Sequence, residues 1–140
     1  MSDERAALPR PSLKHNVRQT RGREAEDFAA EALIANGFRL LWRNLRIGSL
    51  EIDLVAQRGD LVVVVEVRAR GPGAYEKPLA SLSHTKRRTL LRATRALWKG
   101  RLERRTDVQR LRIDIAAVTR DRDGESRLEW IAGALTGDDA

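Results

Sequence analysis

The sequence predicts a single α/β domain in which helices flank a mixed β-sheet. Two segments place apolar residues at helical spacing, and five shorter segments read as strands. Their order along the chain is α-β-β-β-α-β-β. Helices that alternate with strands in this way are typical of α/β architectures. A chain of 140 residues is the usual size for one domain with its own core.

The first half of the chain predicts one helix and three strands. The helix covers about 24–36, one strand covers 38–47, and a strand pair covers 51–56 and 61–69. Gly37 is the expected helix stop. The strand pair should close as a hairpin with the two-residue turn Arg58-Gly59, because glycine accepts the backbone angles of tight turns.

The second half predicts one helix and two further strands. The helix covers about 83–99, and the strands cover 111–118 and, more weakly, 127–132. A loop at 71–78 is indicated by its glycine and proline content. Either Ser81 or Ser83 is expected to cap the helix, and Gly100 to end it.

Composition limits the class of protein. We assign residues 1–20 to a flexible basic arm, 21–134 to the domain and 135–140 to a tail. The chain has no cysteine, which excludes disulfides and thiolate metal sites. No apolar run approaches the roughly 20 residues that cross a bilayer, and no secretory signal is evident. We therefore expect a cytoplasmic protein without a membrane partner.

Positive charge is concentrated in one segment. The chain carries +7 overall, yet residues 77–112 contain twelve Lys/Arg and two acids. Within the second predicted helix the cations are Lys86, Arg87, Arg88, Arg92, Arg95 and Lys99. Spacings of three and four put several of them on one face, which suits contact with a phosphate backbone. Nucleic acid, in the first instance DNA, is the predicted partner, and a solvated helix face is the alternative.

Two carboxylates interrupt the predicted hairpin. Asp53 stands in its first strand, and Glu66 follows four consecutive valines in its second. With an Arg58-Gly59 turn, Asp53 lies opposite Val64 and diagonal to Glu66, roughly 7–8 Å away. A loop two residues longer would set the acids directly opposite each other. In both registers they share one face with Arg68, since alternate strand residues point the same way.

Such a cluster is costly unless a cation neutralises it. Oxygen ligands of this kind suit a divalent cation. The alternative is an exposed salt-bridge pattern between Asp53, Glu66 and Arg68. The valine run favours the first interpretation, because it indicates a strand buried on both faces.

An ordered set of short motifs resembles a known family. The motifs are Gly22-Arg23-Glu24-Ala25-Glu26, Gly37-Phe38, Arg43-Asn44, Glu51-Ile52-Asp53-Leu54, Val65-Glu66-Val67-Arg68, Lys86 and Arg112-Ile113-Asp114. Over about residues 20–134 the chain resembles the YraN family of small bacterial proteins. That family resembles the PD-(D/E)xK restriction-endonuclease-like superfamily, close in outline to Holliday-junction resolvases. The resemblance implies a restriction-endonuclease-like domain.

The resemblance also implies a site. Asp53 and Glu66 would be ligands of Mg²⁺ or Mn²⁺, with the main-chain carbonyl of Val67 as a further ligand and Glu26 as an additional acid. The implied activity is endonuclease cleavage of DNA, in which the metal activates water and neutralises the scissile phosphate. Cleavage of a junction would call for a two-fold homodimer.

Two positions depart from the family pattern. Leu50 replaces a glycine, and Arg68 stands where the superfamily has a catalytic lysine. Arginine stays charged and cannot act as a base. One hypothesis is an active endonuclease in which Arg68, or else Lys86 or Lys77, serves as the cation. The alternative is a catalytically silent nuclease-fold module that binds nucleic acid or a protein partner in repair or RNA processing. A basic protein-interaction domain is the third hypothesis.

Other chemically interesting residues have simpler interpretations. Asp114 alternates with isoleucines and shares a face with Arg112, so a structural ion pair is predicted there. His84 is predicted to be a surface residue near the helix start. Tyr75 is predicted to pack down in its loop, although a tyrosine there could also stack on an unpaired base. The three tryptophans are predicted to belong to the core.

Overall fold

The computed structural model describes residues 17–73 and 77–136, and within them five strands form one mixed sheet between two α-helices. The elements are α1 Val17–Ala35, β1 Arg39–Ile47, β2 Leu50–Arg58, β3 Leu61–Arg70, α2 His84–Leu97, β4 Arg110–Arg120 and β5 Ser126–Leu135. The strands lie in the order β1-β2-β3-β4-β5. Strands β3 and β4 are parallel, and the other neighbours are antiparallel. The predicted α/β class and element order are confirmed.

Strand β3 is the centre of the sheet and of the core. Its four valines are fully buried, because β2 and β4 pair with its edges and the two helices cover its faces. Val62 and Val64 pack on the α2 side. Val63 and Val65 pack on the α1 side. The valine run therefore indicated a strand buried on both faces correctly.

The two helices begin and end for different local reasons. Helix α1 begins at Val17, earlier than predicted. Residues 17–23 contain one large apolar side chain, that of Val17, so no apolar period indicated a helix there. Ser83 is the cap of α2, since its Oγ accepts the N–H of Lys86 at 3.0 Å. The predicted end at Gly100 was wrong: α2 ends at Leu97, and a wider π turn, Trp98–Leu102, follows. No helix within residues 17–73 and 77–136 is long and apolar enough to cross a membrane.

The predicted hairpin turn was wrong by one residue. Arg58 pairs with Leu61, so the turn consists of Gly59 and Asp60. Gly59 has φ 60°, a left-handed conformation that glycine adopts without steric cost. The glycine therefore takes the first turn position rather than the second. This displacement changes every pairing across the hairpin by two residues.

The corrected register brings the two acids together. Val64 pairs with Val55, not with Asp53 as predicted. The last pair of the ladder is Leu54 with Val65, and the next residues on the two strands are Asp53 and Glu66. The acids are therefore level with each other at the end of the paired segment.

Some sequence-based predictions fall outside the described residues. These are residues 1–16 of the predicted arm, residues 137–140 of the predicted tail, and Tyr75.

Candidate functional site

Asp53 and Glu66 are in direct contact where β2 and β3 stop pairing. The backbone N–H of Val67 donates to Asp53 Oδ2 at 2.8 Å, so a side chain takes the place of a ladder carbonyl. The carboxyl of Glu66 is hydrogen-bonded to Asp53. Glu66 is only 4% exposed. Asp53 is partly exposed, so the two carboxyl groups meet where the core borders on solvent.

Strand β2, which carries Asp53, loses its regular alternation of side chains at this point. Ile52 and Val55 pack into the same core, although residues three apart on a regular strand face opposite ways. The neighbouring strand behaves likewise, because Trp42 and Leu45 both pack into that core. The backbone between each pair is thus irregular, and Asp53 lies within the irregular stretch.

Asn44 explains the irregularity on β1. It has φ 49° and is the one non-glycine residue with positive φ among those described. The flanking pairs Arg43–Leu54 and Leu45–Ile52 put Asn44 level with Asp53. Asparagine tolerates this conformation better than most residues, but the sequence alone did not single it out for this role.

Helix α1 supplies a third acid. Glu26 is partly buried, and its pKa is raised by burial and then by the negative charge of Asp53. The side chain of Asn44 and the guanidinium of Arg43 oppose that rise. Arg43 Nη2 lies 3.7 Å from Glu26 Oε1. Glu26, which the resemblance implies as an additional acid, therefore lies near enough to Asp53 for their charges to interact.

Lys86 is the cation that faces the acid pair. Its Nζ lies 3.7 Å from Glu66 Oε2, and its side chain remains 41% exposed. Arg68, at the motif position of the lysine, instead donates through Nη2 to the carbonyl of Ser81 at 3.3 Å. Both cations oppose the rise in the pKa of Glu66, Lys86 more strongly. Lys77, the other candidate substitute, is exposed.

These partners do not balance the buried negative charge. Burial, followed by repulsion from Asp53, raises the pKa of Glu66 to about 7. Burial also raises the pKa of Asp53, against the Val67 hydrogen bond and the charge of Lys86. The pair therefore holds a proton up to a higher pH than two separate carboxyl groups would. A bound cation is the natural replacement for such a proton.

The donor set fits one class of metal ion. Among the residues that the structure describes, no three His, Cys, Asp or Glu side chains converge to hold a metal. Mg²⁺, however, is commonly held by one or two carboxylates and keeps several waters. Two contacting carboxylates suit a hydrated Mg²⁺ or Mn²⁺, which prefer oxygen ligands. The Val67 carbonyl, implied as a further ligand, belongs to the residue whose N–H orients Asp53.

The cations of α2 and of the π turn after it divide into two groups. Lys86 faces Glu66, and Arg87 donates to the carbonyl of Leu79 at 2.7 Å and that of Leu82 at 3.2 Å. Arg87 therefore holds the turn that precedes α2. The four remaining cations are exposed and form what we call the cationic stripe: Arg88, Arg92, Arg95 and Lys99. Their spacing keeps them on one helix face over roughly 16 Å.

A second buried acid lies outside this site. Asp114 is 0% exposed and accepts two hydrogen bonds from Arg112, at 2.8 and 2.9 Å. The indole N–H of Trp130 and the backbone N–H of Gly133 each donate to it at 2.9 Å. The predicted structural Arg–Asp pair is confirmed.

Comparison with known proteins identifies close relatives. Residues 25–118 match the family model described as "Uncharacterised protein family UPF0102". A UPF0102 protein of Sorangium cellulosum is 40% identical over 120 residues, covering 86% of this chain and 83% of that protein. One from Anaeromyxobacter dehalogenans is 42% identical over 123 residues, covering 86% and 87%.

Among solved structures, the chain is similar to Pyrococcus furiosus SfsA in complex with Ca²⁺. The TM-score is 0.42 and the sequence identity is 15%. The match covers 83% of this chain and 64% of that protein, which is less than two thirds of its length. At that TM-score the likeness supports no functional conclusion.

Proposed function

The chain belongs to the uncharacterised protein family UPF0102, and we propose that it is a nucleic-acid-binding protein with a restriction-endonuclease-like fold that hydrolyses DNA phosphodiester bonds using Mg²⁺ or Mn²⁺. The observation that supports this most is the contact between Asp53 and Glu66 opposite Lys86. Buried acids in contact are unfavourable by themselves. Strongly perturbed acids beside a specific charge partner are typical of functional sites.

Asp53 and Glu66 would hold the metal ion. The Val67 N–H fixes the orientation of the Asp53 carboxylate through Oδ2, and Glu66 would release its proton when the ion binds. The bound ion would supply a Lewis acid at the scissile phosphate and a lowered pKa for a coordinated water. Glu26, held by Asn44 and Arg43, lies where it could accept hydrogen bonds from the water shell of the ion.

Lys86 would provide the cation of the motif. Its ammonium group already lies 3.7 Å from Glu66 and is still partly exposed, so it can reach a bound phosphate. The fork of Arg68 is directed at Ser81 instead. Lysine is also the residue that can give up a proton, whereas arginine cannot. A lysine contributed by α2 would therefore restore the chemistry that Arg68 cannot perform.

The cationic stripe would hold the nucleic acid. Three of its cations lie on the same helix as Lys86 and the fourth lies in the π turn after it. At 3.6 residues per turn they are about half a turn from Lys86, so a backbone on the stripe reaches the acid pair by passing around the start of α2. Phosphate contacts of this kind depend on counterion release and fix no base sequence. Binding without sequence preference is thus part of the proposal. A two-fold homodimer would be needed to cut both strands of a junction.

The test is a cleavage assay with a matched acid variant. The purified protein is incubated with labelled single-stranded, duplex, flap and four-way-junction DNA, first in Mn²⁺ and then in Mg²⁺. Asp53→Asn is run beside Asp60→Asn, which removes a hairpin-turn acid paired with Arg110. We expect cleavage by the wild type and by Asp60→Asn, with at least about a hundredfold loss in Asp53→Asn. Equal cleavage by Asp53→Asn would rule out the proposed site.

A catalytically silent binding module is the second candidate. It is favoured by the engagement of Arg68 with Ser81 and by the lack of a third side-chain ligand among the described residues. In that case the stripe binds DNA and no substrate is cut in either metal. Cleavage that appears only in Arg68→Lys would then identify this position as the reason.

A further inference from the structure

An open pocket lies at the far end of the cationic stripe. Its volume is about 340 Å³, and it is lined by Thr94, Arg95, Ala96, Trp98, Lys99 and Leu111. Trp98 begins the π turn after α2, and the N–H of Glu103 donates to its carbonyl at 2.8 Å. Trp98 packs, partly buried, against the core beneath α2 and also lines the pocket.

The chemistry of the lining selects a particular kind of ligand. Its lining combines the Trp98 indole and apolar side chains with two cations, Arg95 and Lys99, and none of the described residues that line it is acidic. An apolar ligand alone would make no use of two cations, and a simple anion would make no use of the indole. A nucleotide uses both, because its base stacks on an aromatic ring while its phosphates meet the cations.

The pocket and the acid pair lie at opposite ends of α2. Arg95 and Lys99 are the last two members of the cationic stripe, and Lys86 lies at the opposite end of α2. Twelve helical residues separate Lys86 from Trp98, which corresponds to roughly 18 Å. A strand that contacts the stripe therefore reaches Trp98 at one end of α2, and the acid pair lies a few nucleotides away, around the helix at its other end.

We infer that this pocket receives an unpaired nucleobase, so that the substrate is a nucleic acid with a single-stranded segment beside the cut position. Bases inside a duplex are stacked and paired, so reaching Trp98 would require their extrusion. An unpaired base needs little free energy to leave its neighbours, because no base pair has to be broken. The inference rests on the proposed function and narrows its substrate to single strands, flaps and other DNA with unpaired nucleotides.

The first experiment observes Trp98 directly. In the double variant Trp42→Phe/Trp130→Phe, Trp98 is the remaining tryptophan. Its emission is recorded while a short oligothymidylate, or a duplex of equal length, is added without divalent metal. Stacking of a base predicts quenching by the single strand and little change with the duplex. Binding of the single strand, seen by anisotropy, without any change in Trp98 emission would overturn the inference.

The second experiment separates the pocket from the stripe. Trp98→Leu should lower single-strand affinity about tenfold and duplex affinity less than twofold, with Trp98→Phe retaining binding. Trp42→Leu is the matched control, because Trp42 also packs partly buried on the same core. Arg88→Gln/Arg92→Gln should weaken both ligands. If the stripe variant lost binding and Trp98→Leu did not, the inference that the pocket receives a base would be wrong, and the proposed function would remain. No binding by the wild type would overturn both.

Discussion

Two buried acid sites in this domain are built in opposite ways. Asp114 is fully buried and has two bonds from Arg112, one from Trp130 and one from Gly133. Glu66 is almost as buried, yet its neighbours are another acid, Asp53, one lysine at 3.7 Å, and the more weakly acting Arg68. The Asp114 carboxylate is paired with a cation and fully hydrogen-bonded, whereas the negative charge of Glu66 and Asp53 is only partly neutralised.

The contrast separates structural from functional acids. A buried carboxylate that is paired and fully hydrogen-bonded contributes to a unique fold and has no remaining capacity for a ligand. An acid pair that must retain a proton reduces stability, which is common where a site is arranged for a ligand and not for the fold. If this account is correct, substitutions at the two sites should change stability in opposite directions.

The largest expected change in stability is at the Arg112–Asp114 pair. Arg112→Met should lower the free energy of unfolding by about 3–5 kcal/mol, because Asp114 would remain buried without its counter-ion. Urea denaturation measures the change. Arg110→Met is the control, since Arg110 and Asp60 form an exposed pair that contributes about 0–1 kcal/mol. A similar loss in both variants would contradict the distinction.

The acid pair should respond in the other direction. Glu66→Gln removes a buried negative charge, so at about pH 8 the metal-free protein should gain about 2–3 kcal/mol of unfolding free energy. The same urea titration detects it. Glu51→Gln is the control, because Glu51 is an exposed acid on the neighbouring strand β2 and should change stability by less than about 0.5 kcal/mol.

The gain in unfolding free energy of Glu66→Gln should depend on pH. The pKa of Glu66 rises from 4.5 to about 7 on folding, so the unfolded chain loses the proton first. Wild-type stability should therefore fall as pH rises between these values and level off above the higher one. Glu66→Gln should lose most of this slope. If the stability of both proteins changed with pH in the same way, the pKa of Glu66 would not be raised on folding.

The smallest stability effect is expected at Lys86. Its side chain is 41% exposed, so Lys86→Met should change the free energy of unfolding by about 1 kcal/mol or less. Cleavage, in contrast, should fall about a hundredfold or more if this lysine faces the reacting phosphate. Lys77→Met serves as the control. Unchanged cleavage by Lys86→Met would exclude Lys86 from the site.

Much of the fold was predictable because it follows periodicity. The valine run of β3 and the apolar spacing of α2 give strand and helix from local pattern alone. The hairpin turn was misplaced because the pattern fixes that glycine lies in the turn, not which turn position it occupies. That single residue decides whether Asp53 faces Val64 or is level with Glu66.

The site was predictable in its acids and less so in its cations. Asp53 and Glu66 stand out as charges within apolar strands. The contact of Lys86 with Glu66, and of Arg87 with the turn before α2, depends on how the helix packs across the sheet, and helical spacing does not encode that. The positive φ of Asn44 is likewise set by the tertiary structure, since asparagine occurs in many conformations.

The central claim is that Asp53 and Glu66 form a metal site. Its most direct test is a titration of the metal-free protein with Mn²⁺, monitored by calorimetry or by the loss of the free-ion EPR signal. Asp53→Asn and Asp60→Asn are titrated in parallel. If the contacting acids form a metal site, the wild type and Asp60→Asn bind one Mn²⁺ in that site and release a proton, whereas Asp53→Asn binds none there. Identical titrations for all three proteins, or no binding by any of them, would contradict it.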